Sequence, residues 1–339
     1  MMAPPSLQQL MLGVDAPSLF TLALCALFAA YSFLRSLVDN NYSHTDRLWS
    51  ITPAVYSIVY AIHTHMSCPT HDDRALLMAA LAAIWAVRLT YNFARKGGYA
   101  KDGEDYRWAV LKQEYITNPV AWQLFNLTFI AGYQHILLWL IATPSQAAYA
   151  ASCAATLKGK HSATPALNAL DAVATIGFLT SLLVETIADE QQWHYYAKRD
   201  KLGFNTKGLY SLSRHPNFAA EQAIWWFYAL FAAAAAVSAP ETDNTAWYSM
   251  WLLSSSKAKS KHLAVKFGIE WLKWPAMYFL GAFLLTLLFQ GSARFTESIT
   301  CRKYKAYASY QRQVAMFVPW PWKLLWAGSD RKLLAGHVA

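Results

Sequence analysis

The amino-acid sequence predicts an all-α polytopic membrane protein with about seven transmembrane helices. Of its 339 residues, 55% are hydrophobic and only 14% are charged, and long apolar runs recur along the chain. A soluble globular domain usually has roughly a quarter of its residues charged. A helix needs about 20 mostly apolar residues to cross a bilayer. We therefore expect a single integral-membrane domain that covers residues 1–339.

Seven stretches of the chain are long and apolar enough, or nearly so, to span a membrane. They cover residues 18–38, 49–66, 75–93, 120–142, 167–188, 219–238 and 271–290. Before the last stretch the sequence contains SSSKAKSKH, a polar run of low complexity, so we expect a flexible insertion at about 239–266. The segment 143–165 is expected to be weakly structured because of its composition.

The positions of lysine and arginine predict the orientation of the chain. These residues concentrate in segments 94–119 and 189–216 and in the tail after residue 290. With seven spans the three segments lie on one side of the membrane, and positively charged segments face the cytosol. The Ser/Lys insertion is an exception, since it falls on the opposite side. The net charge of +9 then suits cytosolic loops and anionic lipid headgroups, and no motif indicates binding to nucleic acid.

Cysteine and histidine give no framework for a disulfide or a metal. The four cysteines stand singly, at Cys25, Cys68, Cys153 and Cys301. Without a CxxC pair they predict neither a disulfide framework nor a structural zinc site. The segment HTHMSCPTH around Cys68 has the composition of a metal cluster, but no matching ligand set occurs elsewhere. No metal site is predicted.

The fifth predicted span ends in ETIADEQQWHYY, which contains three polar residues on one helical face. Glu185, Asp189 and Gln192 are spaced i, i+4 and i+7. Ionisable groups at membrane depth are costly, so they are functional candidates by default. The alternative is a solvated helix end with interfacial carboxylates, and the spacing alone does not choose between the two.

The sixth predicted span is preceded by KGLYSLSRHPN and begins with acidic and amide groups. Asn217 is expected to cap the helix, and Glu221 lies one turn further on the same face. Arg214 and His215 stand immediately outside, beside a helix N-terminus that favours anions. A ligand with both phosphates and hydroxyl or amide groups, such as a nucleotide cofactor, suits this combination. Anchoring of the loop to headgroups would explain Arg214 but not Glu221.

The tail after residue 300 places tyrosines at intervals of three among basic residues. They are Tyr304, Tyr307 and Tyr310. One interpretation is an interfacial helix on anionic lipid, which the sequence alone favours. The other is a basic, aromatic lid over phosphates on the cytosolic face.

Several segments, taken together, resemble the steroid 5α-reductase-like membrane family. GLYSLSRHPNFAAEQAIWW (208–226) is similar to the family's SRHPNYxGE segment, and the likeness is greatest for its branch of unknown function. Further pieces agree in order: DRLWSITPAVYS, RLTYNFARKGGY with EDYRW, ETIADEQQWHYY and RKYKAYASYQRQVAMFVPW. Together they cover about 45–322, nearly the whole chain.

The resemblance implies a seven-span bundle, in the endoplasmic reticulum or a related membrane, that binds NADPH on the cytosolic side. The expected cofactor residues are Asp189, Tyr210, Arg214, His215, Asn217, Glu221, Tyr304 and Arg107. Among them Arg214, Arg107 and Tyr304 would neutralise the phosphates, while the carboxylates and the amide position the rest of the cofactor.

The catalytic half of the resemblance departs from the family. In the reductases a glutamate in the second span and a tyrosine in the third polarise the carbonyl of an enone. Here the second span has no carboxylate, and Trp85 stands where the tyrosine is expected. Tyr91, one turn along from the arginine that follows Trp85, and Tyr56 in the second span are the phenols left as proton donors.

Three functions are compatible with these residues. The leading one is an NADPH-dependent oxidoreductase whose lipid-soluble substrate, sterol-like or another lipid, enters from the bilayer. The second is a methyltransferase that uses S-adenosylmethionine, since isoprenylcysteine carboxyl methyltransferases have a similar RHPxYxGE-like segment and a basic tail. The third is a non-catalytic lipid- or sterol-binding membrane protein, which the departures in the second and third spans motivate.

Overall fold

The structure, a computed structural model, describes residues 15–68, 73–157, 167–197, 203–238 and 277–318. Throughout these ranges the regular secondary structure is helical, with one isolated parallel β-bridge between Ser213 and Ala315. The predicted insertion at about 239–266 and the tail beyond residue 318 lie outside the described residues.

The described helices are numbered here along the chain. They are α1 (Ala16–Asp39), α2 (His44–Trp49), α3 (Thr52–Ser67), α4 (Asp73–Arg95), α5 (Tyr106–Val110), α6 (Pro119–Ala142), α7 (Pro144–Leu157), α8 (Ala169–Ala197), α9 (Pro216–Ser238), α10 (Leu280–Lys303) and α11 (Tyr307–Gln313). Two π-helical stretches occur, Leu111–Tyr115 after α5 and Asn126–Tyr133 within α6, and Gly208–Ser211 forms a 3-10 turn.

Five of the described helices are long and apolar enough to cross a membrane: α1, α4, α6, α8 and α9. They agree with five of the seven stretches expected from the sequence. Helix α3 coincides with another but has only 16 residues, which is shorter than a bilayer usually requires. Helix α10 begins inside the last stretch and ends in Arg302 and Lys303. The five apolar helices indicate a membrane-embedded protein.

Helix α1 is polar on its buried face and apolar on its exposed face. Its buried positions include Ser18, Thr21, Cys25, Ser32 and Ser36. Most of its exposed large apolar side chains are leucine, and Leu27 in the middle of the helix is 61% exposed. A helix of a water-soluble protein has the opposite arrangement. Lipid-facing helices instead turn leucine outward and use small and polar residues for contact between helices.

Helix α8 repeats this arrangement. Ile176, Leu183 and Ile187 are exposed, whereas Glu185 and Asp189 are buried. Helices α1 and α8 therefore resemble membrane spans in the direction of their side chains as well as in length.

The chain divides into two compact units. Unit 1 is formed by Met1–Thr175 and Trp226–Phe283, and unit 2 by Ile176–Trp225 and Leu284–Ala339. In unit 1, the segment around α2 is bound to the loop between α4 and α5. Arg47 donates hydrogen bonds to the carbonyl oxygens of Gly98 and Gly103 at 3.2 and 3.1 Å. Asp46 accepts one from the Trp108 indole at 2.9 Å.

A second group of contacts in unit 1 joins the starts of α4 and α8 to the end of α9. Arg74 and Asp171 form a buried, bidentate ion pair with two hydrogen bonds of 2.7 Å. Ser238 accepts a further hydrogen bond from Arg74 at 3.0 Å. A buried arginine is stable only with such a partner, so this pair ties three helices together.

Two expectations from the sequence were wrong in unit 1. Cys68 and Cys153 form a disulfide, with their Cα atoms 4.9 Å apart. Cysteines 85 residues apart meet only through the packing of α3 near α7, which single spacings do not reveal. The segment 143–165, which was expected to be weakly structured, contains the helix α7. Its alanines Ala147 and Ala151 are buried with Ala232 and Tyr278, because small side chains allow helices to approach closely.

Candidate functional site

The polar ends of α8 and α9 lie side by side in unit 2. The Asn217 amide is 3.5 Å from the Asp189 carboxylate, at the limit of a hydrogen bond. Consecutive spans run in opposite directions. Glu185 lies one turn from Asp189 and Glu221 one turn from Asn217, both away from the helix ends, so the two glutamates lie at a similar depth. Glu185, Asp189 and Glu221 are all buried. The structure thus brings three carboxylates and an amide to one helix pair.

Glu221 is held in place by its own helix. Its carboxylate accepts a hydrogen bond from the indole of Trp225, one turn later, at 3.0 Å. Both residues are buried. A buried carboxylate is costly unless it has partners, so Glu221 stays a functional candidate. Helix α9 begins at Pro216, so Asn217 lies inside its first turn and not at the cap position expected from the sequence.

The loop before α9 is shaped by glycine and by a glutamine from α8. Gly203 and Gly208 have positive φ angles of 80° and 63°, which favour glycine. The Gln191 side chain accepts a hydrogen bond from the Leu209 amide at 2.8 Å. These contacts place Tyr210 in the interior of unit 2, where burial and the nearby Asp189 carboxylate raise the pKa of its phenol. Tyr210 therefore lies beside the carboxylate group of α8.

Arg214 and His215 converge on one carboxylate of α10. Arg214 binds Glu297 through two hydrogen bonds of 2.5 and 3.1 Å, and the His215 imidazole is 3.0 Å from the same carboxylate. Burial alone raises the pKa of Glu297. Hydrogen bonds from His215, Arg214 and Gln311 outweigh that effect and hold the pKa at about 2. Glu297 is therefore ionised at neutral pH and balances the positive charge of Arg214.

The segment 311–316 is bound to the same loop. Arg214 also donates to the carbonyl oxygens of Gln311 and Val314, the first at 3.0 Å. The backbone amides of Arg214 and His215 donate to Ala315 and Met316 at 2.9 and 3.0 Å. The arginine expected to bind phosphates thus connects the SRHPN loop to the tail in this structure.

The regularly spaced tyrosines of the tail are largely packing residues. Tyr307 and Tyr310 are buried against Phe204, and the Tyr310 hydroxyl donates to the Tyr210 carbonyl at 2.5 Å. Neither an interfacial helix nor a lid was the correct prediction for these two, because their rings fill the interior of unit 2. Tyr304 is partly exposed beside Lys303, whose ammonium lies 5.3 Å from its ring.

The remaining predicted site residues lie in unit 1. Arg107 forms a close bidentate pair with Asp105, with hydrogen bonds of 2.9 and 2.6 Å. Tyr56 is fully buried in α3. Tyr91 is 63% exposed on α4, with the Arg95 guanidinium 5.3 Å from its ring. Of the two candidate phenols, Tyr56 has the enclosed surroundings that a proton donor to an apolar substrate needs.

Glu297 and Gln191 were not anticipated from the sequence. One signal pointed to Glu297, because it and Asp330 are the only acidic residues after residue 276 in an otherwise basic region. Gln191 offered no signal, since its role depends on the path of the loop it holds. Among the described residues, no group of three or more His, Cys, Asp or Glu is arranged to hold a metal ion.

Comparison with known proteins places the chain among relatives without an assigned activity. Residues 32–256 match the family described as "Protein of unknown function (DUF1295)". The chain is also similar to the "Uncharacterized protein C594.04c" of Schizosaccharomyces pombe. The two are 33% identical over 303 residues, which covers 84% of this chain and 74% of the relative. No solved structure gives a significant match.

Proposed function

The chain belongs to the DUF1295 family of proteins of unknown function, and we propose that this member is an NADPH-dependent oxidoreductase acting on a lipid-soluble substrate. One observation carries the proposal. Helices α8 and α9 carry buried carboxylates, and the two helices approach each other where the Asn217 amide lies beside the Asp189 carboxylate. The loop before α9 is hydrogen-bonded to the tail next to this pair. The sequence resemblance to steroid 5α-reductase-like enzymes supports the same function.

The acceptor groups of unit 2 suit the polar parts of a dinucleotide. Carboxylates accept hydrogen bonds from ribose hydroxyls and from the carboxamide of a nicotinamide, and Asn217 can both donate and accept. Asp189 and Glu221 are buried, so such hydrogen bonds would form in a medium that strengthens them. NADPH bound here would supply a hydride. The residues of this chain would position the cofactor and exclude water from it.

The phosphates of the cofactor need positively charged groups whose charge is not already balanced by a carboxylate of the protein. Arg214 and Arg107 hold the carboxylates of Glu297 and Asp105, so we propose that they act by positioning loops. Lys303 and Tyr304 suit direct contact with a phosphate, because Lys303 is exposed and Tyr304 is partly exposed beside it. His215, bound to Glu297, completes the same positioning group.

The proposed substrate is a lipid that enters from the bilayer, with Tyr56 or Tyr91 as the proton donor. Five apolar helices, of which α1 and α8 turn leucines outward, support an embedded protein. We further propose seven spans, with α3 and the segment that ends in α10 as the remaining two. The basic segments and the C-terminus then face the cytosol, and the membrane is that of the endoplasmic reticulum.

A titration of the detergent-solubilised protein with NADPH tests the cofactor site. Nicotinamide fluorescence is followed in wild type and in the double variant Asp189→Asn/Glu221→Gln, which keeps side-chain shape. Loss of two charged acceptors should weaken binding by about 10- to 1000-fold. Glu190→Gln is the matched control, since that neighbouring carboxylate is 43% exposed beside His194. Equal affinity in wild type and the double variant would contradict the proposal.

The two other functions give different outcomes in the same preparation. A methyltransferase binds S-adenosylmethionine and not NADPH, so a competition titration between the two separates it from a reductase. A non-catalytic lipid-binding protein oxidises no NADPH with any lipid extract, even when the cofactor is bound. We favour the reductase because three buried carboxylates lie on the α8–α9 pair of unit 2.

A further inference from the structure

Helix α6 of unit 1 contains a long π-helical stretch, the eight residues Asn126–Tyr133. At its end the backbone amide of Gln134 still donates to the carbonyl oxygen of Phe129, five residues earlier. Runs of π-helix are rare, mostly span a single turn inside an α-helix, and are frequent at functional sites. A stretch of this length inside a membrane span therefore needs contacts that hold it.

Two features within α6 favour the π-helical arrangement. The rings of Phe125, Phe129 and Tyr133 stack along the helix, with neighbouring centroids 5.0 and 5.5 Å apart. Gly132 supplies the second feature. A Cβ at this position would lie 2.8 Å from the carbonyl oxygen of Leu127, five residues earlier. Glycine at residue 132 therefore allows the close approach of backbone that this arrangement requires.

A third contact comes from α2, outside the span. The buried Thr45 donates a hydrogen bond from Oγ1 to the carbonyl oxygen of Ile130 at 2.9 Å. Two residues later in this six-residue helix, Arg47 donates to three carbonyl oxygens of the loop 96–105 at distances between 3.0 and 3.2 Å. One short helix thus contacts both the π-helical stretch of α6 and the loop between α4 and α5.

The π-helical arrangement also has a cost. Two buried side-chain atoms of α6, Trp122 Nε1 and His135 Nδ1, have no hydrogen-bond partner, and they lie on either side of the π-helical stretch. Native proteins leave few such atoms, since each loses its hydration without compensation. The stacked rings and Thr45 therefore favour this arrangement, while the two nitrogen atoms oppose it. Two packings that are balanced in this way are the basis of a conformational switch.

An α-helical arrangement of the same stretch would rotate the remainder of α6. Its hydrogen bonds join residues four apart instead of five, so it has fewer residues per turn, and residues 134–142 would turn about the helix axis. In the structure Trp139 donates to Thr21 of α1 at 3.1 Å, and His135 contacts Ser32 of α1 at 2.9 Å. Such a rotation would break both contacts with α1.

We propose that the π-helical stretch of α6 is a conformational switch and that α2 couples it to the loop 96–105. When Arg47 holds the loop, Thr45 holds the carbonyl oxygen of Ile130, and α6 stays bound to α1. When the loop moves away, the stretch becomes α-helical and the contacts with α1 break. A loop outside the span thereby controls how α1 and α6 pack. The inference concerns unit 1 alone, goes beyond the proposed function and requires neither NADPH nor a substrate.

Spin labels on α6 test the switch in purified protein in lipid vesicles. Leu124 and Ile136 are 60% and 52% exposed, and they lie before and after the π-helical stretch. Each is replaced by cysteine and labelled in a Cys301→Ser background, with the buried Cys25 left in place. Molecular oxygen is apolar and concentrates in hydrocarbon, so its collisions with a label report whether that position faces lipid. With no further substitution, both labels should be accessible to oxygen.

Loss of the Thr45 hydroxyl should turn residue 136 away from lipid. Thr45→Val should therefore reduce the oxygen accessibility of the label at residue 136 and leave that at residue 124 unchanged. Gly132→Ala should have the same effect, because its Cβ disfavours the π-helical arrangement. Thr45→Ser keeps a hydroxyl and should restore the original accessibility. Thr128→Val is the matched control, since the Thr128 hydroxyl bonds to a carbonyl oxygen of its own helix.

The coupling to the loop is tested with Arg47→Gln. This variant should reduce oxygen accessibility at residue 136 as Thr45→Val does, and the double variant should lose no more than either single variant, because both act through α2. Unchanged accessibility at residue 136 in Thr45→Val would overturn the switch. An equal loss at residues 124 and 136 would also overturn it, because α6 would then be disrupted and not rotated. An effect of Thr45→Val without an effect of Arg47→Gln would overturn the coupling.

Discussion

Glu297 organises the positive charges of unit 2. Its carboxylate contacts Arg214 and His215 from the loop before α9, and Gln311 donates to it from the tail at 2.8 Å. A carboxylate that accepts several charge-assisted hydrogen bonds in a buried place is strongly stabilised in its ionised form. Glu297 thereby adds side-chain contacts from α10 to the backbone hydrogen bonds that join the segment before α9 to Ala315 and Met316.

The low pKa of Glu297 predicts an acid-dependent stability of unit 2. A folded-state pKa of about 2 lies below the ordinary value of 4.5, so the contribution is complete above pH 4.5 and is lost as pH falls toward 2. It amounts to about 3 kcal/mol. The Tm of wild type should fall steeply over that interval. Glu297→Gln should be less stable at neutral pH and lack this fall.

The control for this experiment is Glu190→Gln, which removes a half-exposed carboxylate. It should keep the full acid dependence of wild type. The same pH profile in Glu297→Gln and wild type would mean that Glu297 does not link the loop to the tail.

Gly203 is predicted to be required for the stability of unit 2, whereas another glycine of the same unit, Gly291, can be replaced by alanine. Its φ is 80°, and a Cβ there would overlap the ring of Tyr304. Gly203→Ala should therefore destabilise the protein by about 1–2 kcal/mol or more and weaken NADPH binding.

Gly291 lies within α10 with no atom within 4 Å of an added Cβ. Gly291→Ala should stabilise that helix by about 0.5–1 kcal/mol. Thermal unfolding of both variants checks the pair, and a destabilised Gly291→Ala with a normal Gly203→Ala would refute it.

At the scale of elements, the apolar spans differ from helices of soluble proteins in the direction of their side chains. On α1 the buried polar residues are serine and threonine, with one cysteine, and most of the large apolar residues that face outward are leucine. In a bilayer this arrangement satisfies the polar groups inside and leaves hydrocarbon against hydrocarbon. In water it would expose a large apolar surface.

This arrangement predicts how α1 tolerates charge. Leu27 lies at the middle of α1 and is exposed, so Leu27→Lys places an ammonium in the hydrocarbon region. The cost is about 2.5–3.5 kcal/mol on insertion scales. The fraction of protein recovered in membranes should fall, whereas Leu27→Ala should retain it. Unchanged recovery of Leu27→Lys would indicate that this face of α1 contacts water.

The sequence could predict the elements better than their contacts. Length and apolar composition located α1, α4, α6, α8 and α9, because these properties belong to one helix at a time. The helix α7 was missed, since its alanines become informative only when they pack with Ala232. The carboxylates of α8 and α9 were found as separate faces, and their meeting at Asp189 and Asn217 required the structure.

For the whole molecule, the disulfide and the charged segments agree on an orientation. Cys68 and Cys153 join the end of α3 to α7, and disulfides persist in oxidising compartments. With seven spans, both cysteines lie on the side opposite to the basic segments. The proposed cytosolic placement of those segments thus agrees with a disulfide on the other side of the membrane.

Counting free thiols tests this arrangement. Protein denatured without reductant, in the presence of an alkylating reagent, should react only at Cys25 and Cys301. After reduction the other two cysteines should react with a second alkylating reagent. The variant Cys68→Ser should expose a third thiol, at Cys153, before reduction. Four thiols in unreduced wild type would refute the disulfide and remove its support for the orientation.

Transfer of deuterium tests the proposed function of the whole molecule most directly. Purified protein in lipid vesicles is incubated with an extract of membrane lipids and with NADPH that carries deuterium at C4 of the nicotinamide, each face labelled in turn. Lipids are then examined by mass spectrometry. We predict that one face of the cofactor delivers a single deuterium to a lipid product, and that Asp189→Asn/Glu221→Gln abolishes the transfer while Glu190→Gln preserves it. Cofactor bound without any deuterated lipid would contradict the assignment as an oxidoreductase and favour a protein that binds lipid without turnover.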